Sequence, residues 1–156
     1  LEEALTGAER LAAVVTLQKK NIIILLDQKD VDLVRREASI DSKEILVDWP
    51  PDKIQTILAR PIFDVAIYGT VQFHHRIVRE YLTAKWFKRL LEKGKSRKSV
   101  EKLFFANRYG QDVVIPSMRP IVAWLSLWDE QTGKGAFGHG VAQKIWRHCR
   151  GGRHFF

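Results

Sequence analysis

The sequence predicts a mainly α-helical domain carrying one small β-hairpin. Apolar residues recur at helical spacing over 1–15, 76–91 and 116–128. One stretch, 65–73, alternates instead with the period of a strand. The composition is 46% hydrophobic and 28% charged, with 5 Trp, 8 Phe and 3 Tyr, which supplies enough large side chains for an interior and argues against disorder. At 156 residues there is room for one domain, or for two small helical subdomains sharing a core.

Leu1, Leu5, Ala8, Leu11, Ala12 and Val15 place a helix over 1–17. The stretch 22–26 is short, β-branched and bounded by polar residues, so a strand or buried extended segment is expected there. A second helix is assigned to 30–38. Asp41 caps a short turn over 42–47, with Glu44 at capping-box spacing. Pro50 and Pro51 stop what precedes them, and Pro51 suits the first position of a helix through 52–59. Val65, Ile67, Val71 and Phe73 alternate around Tyr68-Gly69, the pattern of the hairpin.

The clearest helix covers 76–91. Its apolar stripe is Ile77, Tyr81, Ala84 or Lys85, Phe87 or Lys88, and Leu91, and Gly94 follows as a stop. A further helix is expected over 99–107, closed by the turn Tyr109-Gly110, and another over 116–128, opening at Ser117 and carrying Ile121, Val122, Trp124, Leu125 and Trp128. After Glu130 the character changes: Gly133, Gly135, Gly138 and Gly140 crowd together, and Gly151-Gly152 follow a weak helix over 141–147. The expected segments are therefore 1–72, 73–130, and a basic Gly-rich tail over 131–156 that is either disordered or the product of a frame shift.

The net charge of +8 is unevenly placed. Residues 131–156 contribute +5 without one acid, residues 72–102 contribute +7, and the rest carries about −4 by difference. Such a basic stripe suits phosphates on nucleic acid or lipid, against the plainer reading of a solvated helix face. The longest apolar run, 22–26, is far shorter than the roughly 20 residues that cross a bilayer, and no secretory signal is expected. Cys149 is the single cysteine, so a reducing, cytoplasmic setting is expected. Leu1 stands where Met would start a chain, and the first helix reads as already under way, which suggests a piece of something longer.

Two glycine patterns imitate phosphate cradles and fail on context. Gly94-Lys95-Ser96 resembles the end of a P-loop, but the first Gly would fall on Arg89 and the segment follows a helix rather than a strand. Gly133-Lys134-Gly135-Ala136-Phe137-Gly138 has dinucleotide-fingerprint spacing without a preceding strand or a later acid. No nucleophilic triad forms around Ser117 or Ser126, and neighbouring His148 and Cys149 make a poor dyad. The aromatics Trp86, Phe87, Phe104, Phe105, Trp124 and Trp128 suit helix cores better than base-stacking platforms.

The most distinctive cluster is His74, His75, Arg76, Arg79 and Glu80. His75 and Glu80 have the chemistry for acid–base or metal work, which makes a cryptic enzyme one rival reading. Adjacent histidines at a strand end point apart, however, and no Cys or Asp is spaced to complete a metal site. The favoured role is structural: one His fixes the hairpin against the following helix, the other faces solvent, and Arg76 and Glu80 lock the junction. A second rival is a freestanding winged-helix-like module that binds nucleic acid through the basic face of 76–102, with Lys85, Lys88, Arg89, Lys95, Arg97 and Lys98 as contacts.

The run Phe73-His74-His75-Arg76-Ile77-Val78-Arg79-Glu80-Tyr81-Leu82-Thr83-Ala84 resembles a motif of STAND-class NTPases, especially bacterial NACHT-like members. That motif reads roughly Phe-x-His-Arg-x-x-x-Glu-Tyr-Leu-Ala-Ala, and the match falls on Phe73, His75, Arg76, Glu80, Tyr81, Leu82 and Ala84, with Thr83 a departure. Leu58 to Asp64, Tyr68-Gly69, and the stretches 110–120 and 123–125 resemble its surroundings, so the likeness spans about 40–130 with a weaker extension to residue 1. It implies a winged-helix-like element followed by a helical superstructure, placed after an ATPase core and relaying its switching to a sensor or effector in signalling or phage defence. It also implies His74 or His75 as a candidate phosphate sensor. The P-loop strand, Walker B acids and sensor arginine have no counterpart here, so no catalytic residue is carried over. ATP and Mg belong to the missing ATPase domain, which is the implied partner, with homo-oligomerisation on activation and no membrane contact. The tail from Gln131 departs from the family's helices, leaving a truncated gene end and a genuine basic tail as alternatives.

Overall fold

The computed structural model describes residues 2–25, 38–67 and 69–132, with side chains at all of these except 97 and 129–132. Among them are six α-helices: α1 (Glu2–Gln18), α2 (Ser42–Ile45), α3 (Pro51–Leu58), α4 (Arg76–Glu92), α5 (Arg97–Phe104) and α6 (Arg119–Thr132). The strands are β1 (Ile22–Ile24), β2 (Ser39–Asp41), β3 (Phe63–Val65), β4 (Thr70–Phe73), β5 (Phe105–Arg108) and β6 (Gln111–Val114). The fold is mainly α with small β elements, as the periodicities indicate. The expected helix over 30–38, the residue Tyr68, the weak helix over 141–147, the glycine cluster, and the His148–Cys149 pair lie outside the described residues.

The chain divides into two compact units, Leu1–Trp86 and Phe87–Phe156. The first is built on a four-stranded sheet ordered β2-β1-β4-β3. β1 runs parallel to β2 and antiparallel to β4, with Ile23 opposite both Ile40 and Val71. β3 and β4 form the expected hairpin, and Phe63 faces Phe73 with ring centroids 4.7 Å apart. The alternation was misleading on one point: Val65 and Ile67 are exposed, and the buried set is Phe63, Val71 and Phe73. β3 is an edge strand whose last rung is Val65 opposite Val71, so Val65 stands at the open end of the sheet and Ile67 lies beyond it with no sheet face to cover.

The apolar stripe of α1 (Ala8, Leu11, Ala12 and Val15) packs into one core with Ile23, Leu46, Ile54 and Leu82. Gly7 sits on that helix because a Cβ there would lie 2.6 Å from Cη2 of Trp49. The Asp41 and Pro51 signals fall where they were read. Asp41 Oδ1 accepts from the Lys43 N–H at 2.8 Å to start α2, and Pro51 occupies the first turn of α3. The Ser42 hydroxyl donates to the Ile24 carbonyl at 3.0 Å, tying α2 to β1.

In the second unit, α4 stops at Gly94, whose φ of +79° admits a left-handed turn without a Cβ penalty. Lys95 N–H reaches Leu90 O and Gly94 N–H reaches Leu91 O, the two bonds of a Schellman stop. The helix expected over 99–107 is instead α5 followed directly by β5, and β5 pairs with β6 in a second hairpin. Arg108 and Gln111 close it around a two-residue turn, Tyr109-Gly110, with φ of +53° and +76°. Both values are positive, which matches the twist of the flanking strands. Phe87 and Phe104 are fully buried and meet edge to face at 4.8 Å. Trp124 and Trp128, read as core from their spacing, are half-buried and lie 6.1 Å apart. α6 opens through a 3-10 turn at Pro116–Met118 with Ile115 as its cap, so Ser117 is inside the turn rather than at its start.

Candidate functional site

The motif run 73–84 forms the end of β4, a two-residue link and the first half of α4. Phe73, Leu82 and Ala84 are buried. The polar members tie the junction at several points. His74 donates its backbone N–H to Ile62 O at 2.9 Å, and its Nδ1 lies 2.6 Å from Asp64 Oδ2. Both side chains are about half exposed, so this pair closes the base of the hairpin at the surface. His75 is exposed and meets the His74 ring edge-on, centroids 3.9 Å apart, while its carbonyl accepts the Arg79 N–H at 3.2 Å as α4 begins.

Arg76 Nε donates to Glu80 Oε1 at 2.6 Å, one turn along the same helix. The carboxylate is the sheltered partner: side-chain exposure is 10% for Glu80 and 69% for Arg76. Arg79 reaches away from its helix, and its Nη1 donates to Asn21 Oδ1 at 2.6 Å, just before β1. Its Nε is buried with no partner among the described residues. Burial pulls the Arg79 guanidinium below the usual arginine range, Glu80 pulls it back up, and Arg76 pushes it down again.

Deeper in the unit, the Thr83 hydroxyl donates to Arg79 O at 2.8 Å, and a 3.1 Å bond joins it to the Thr16 hydroxyl of α1. Since the single Thr83 proton is engaged by Arg79 O, Thr16 is the donor of the pair. The departure from the motif's Ala at this position thus places a hydroxyl that bridges α4 to α1.

The expected basic face divides in use. Lys85 lies over the Tyr81 ring at 5.7 Å. Lys88 lies 3.8 Å from Glu92 and 5.6 Å from the Trp128 ring centre. Arg89 is half-buried. Lys95 and Lys98 are exposed, and the side chain of Arg97 is outside those described.

Sequence reasoning missed three partners at the junction: Asp64, Asn21 and Thr16. Asp64 pairs with Gln72 across the hairpin, so His74 is its diagonal neighbour on the same face, a signal available once the register is known. Asn21 and Thr16 lie 58 and 67 residues from their partners and leave no local trace.

Among the described residues no group of three or more His, Cys, Asp or Glu is arranged to hold a metal ion, and no helix is long and apolar enough to cross a membrane. A shallow, solvent-open groove of about 300 Å³ is lined by Arg10, Val14, Glu44, Ile45 and Trp86. No family model, curated protein or solved structure matches this chain.

Proposed function

We propose that this chain is a non-catalytic regulatory and interaction region of a STAND-type signalling or defence ATPase, relaying nucleotide state from a core elsewhere in the parent chain to a sensor or effector in the cytoplasm. The observation that supports this reading is the engagement of the motif's polar side chains with the protein itself. Arg79 with Asn21 and Thr83 with Thr16 bind the start of α4 to the entry of β1 and to α1, while Arg76 with Glu80 braces the first turns of α4 itself. A relay can use such an element, because packed segments joined by hydrogen bonds carry coupling between distant sites. In this role ATP and Mg are ligands of the core, and the motif helix is the part the core pushes.

The test is to read the coding DNA upstream of Leu1. An in-frame P-loop ATPase core is the expected result, and in its parent protein Glu80→Ala shifts nucleotide-dependent assembly. A start codon with no such core ahead of it overturns the proposal.

A further inference from the structure

We propose that the second unit carries a nucleic-acid interface, in which Lys95, Lys98, Lys102 and Arg108 neutralise backbone phosphates while Tyr109 stacks on an unpaired base. This stands on observations separate from those behind the regulatory reading. Residues 93–119 hold seven Lys or Arg against Glu101 and Asp112. Lys95, Lys98, Lys102 and Arg108 are all exposed, and among the described residues none of them has an ion-pair partner. Arg10, Lys53, Arg76 and Lys88, by contrast, are each held by an acid.

Their placement follows from the local fold. Val100 and Phe104 are the buried stripe of α5, so Lys98 and Lys102, each two residues earlier, stand on its opposite face one turn apart. α5 passes without a loop into β5, and the Ile115 N–H bonds Phe104 O at 2.8 Å across the hairpin base. Helix and hairpin therefore form one continuous support for Lys98, Lys102 and Arg108.

Tyr109 at the hairpin tip is fully exposed and has a φ of +53°. Left-handed backbone is costly for an L-residue with a bulky side chain, and Gly or Asn would avoid that cost. Tyr109 keeps it with no packing in return. An aromatic ring held out at the tip next to Arg108, with Lys98 and Lys102 farther back on the same helix–hairpin support, has the chemistry that single strands select, a flat face for a base and charge for the backbone. Asp112, the nearby acid, is within 3.5 Å of the Asn107 amide across the strands.

The experiment measures binding of the full chain to a labelled oligothymidine and to a duplex, by fluorescence anisotropy between about 50 and 200 mM salt. Four phosphate contacts predict a log–log salt slope near about −3 on the single strand, and Lys98→Ala with Lys102→Ala reduces its magnitude by about 1.4. Tyr109→Asn tolerates the turn, so thermal stability is kept while oligothymidine affinity falls about tenfold. Duplex affinity changes less than twofold in that variant. Absence of binding at the lowest salt, an unchanged slope in the double lysine variant, or unchanged single-strand affinity in Tyr109→Asn overturns the proposal. Equal losses on duplex and single strand also overturn it.

Discussion

Replacing Glu80 by Ala perturbs the junction at its most sheltered charge. The carboxylate is 10% exposed and receives the Arg76 Nε–H at 2.6 Å. A hydrogen bond to a charged group contributes about 1.5–3 kcal/mol. Because Arg76 is 69% exposed and regains water when released, the loss belongs nearer about 1 kcal/mol. Losing one sheltered methylene adds about 0.8 kcal/mol, and the better helix propensity of Ala returns a few tenths. Glu80 also favours the charge on partly buried Arg79, while Arg76 opposes it. Without the acid the two guanidiniums repel each other with nothing to offset them, at a further cost of a few tenths of a kcal/mol. The expected destabilisation is about 2 kcal/mol, a fall of about 4–8 °C in Tm. Urea unfolding followed by tryptophan fluorescence reads it as a lower midpoint at unchanged slope. Glu80→Gln keeps the volume and one acceptor, and recovers about half of the loss. A Tm within about 1 °C of wild type, or equal losses in the Gln and Ala variants, would refute the argument.

Gly7→Ala gains about 1 kcal/mol of helix propensity but presses its Cβ onto the Trp49 ring and Ile57, an overpacking that costs about 1–3 kcal/mol. A net Tm decrease is expected in the native background, and an increase once Trp49→Leu makes room; an increase in both sinks the idea. Thr83→Val leaves the Thr16 hydroxyl buried without its acceptor and costs about 1–2 kcal/mol, whereas Thr16→Val joined to Thr83→Val is close to neutral. A double variant as unstable as the sum of its parts, measured by the same urea curves, contradicts the pairing of the two hydroxyls. Phe104→Ala empties a fully buried site beside Phe87 and should cost about 3–5 kcal/mol, so near-UV circular dichroism that survives unchanged at 37 °C would argue against that packing.

Helix positions were legible wherever periodicity and punctuation agreed. α1, α3 and α4 begin and end close to their apolar stripes, their prolines and Gly94. The hairpin β5–β6 was not legible, because Val100 and Phe104 continue a helical pattern up to the strand and Tyr109-Gly110 serves equally as a helix stop. The pairing of 105–108 with 111–114 separates the two readings, and the residues on either side of the turn carry no clear strand alternation to announce it. Ile77 opens the apolar stripe read for α4 yet is exposed, since the first turn is held by polar bonds rather than by packing. At the junction, the identity of the ionisable residues was plain from sequence, but their partners Asp64, Asn21 and Thr16 depend on strand register and tertiary placement. The basic segment was visible as a count of charges; which of them are free emerged only from the pairing of Lys88 with Glu92 and the exposure of Lys95 and Lys98.

The strand order β2-β1-β4-β3 has a consequence for how the chain is made. β1 occupies an interior position, yet its antiparallel neighbour β4 lies far downstream, with Ile23 waiting for Val71. As the polypeptide emerges from the ribosome, Ile22-Ile23-Ile24 is therefore an apolar edge with half its hydrogen bonds unmet until β4 has been synthesised. The local β3–β4 hairpin closes fast and offers a template, whereas docking β1 onto it must overcome a long loop closure. Slow translation between the codons for Asn21 and Phe73 lengthens the interval over which that edge is exposed.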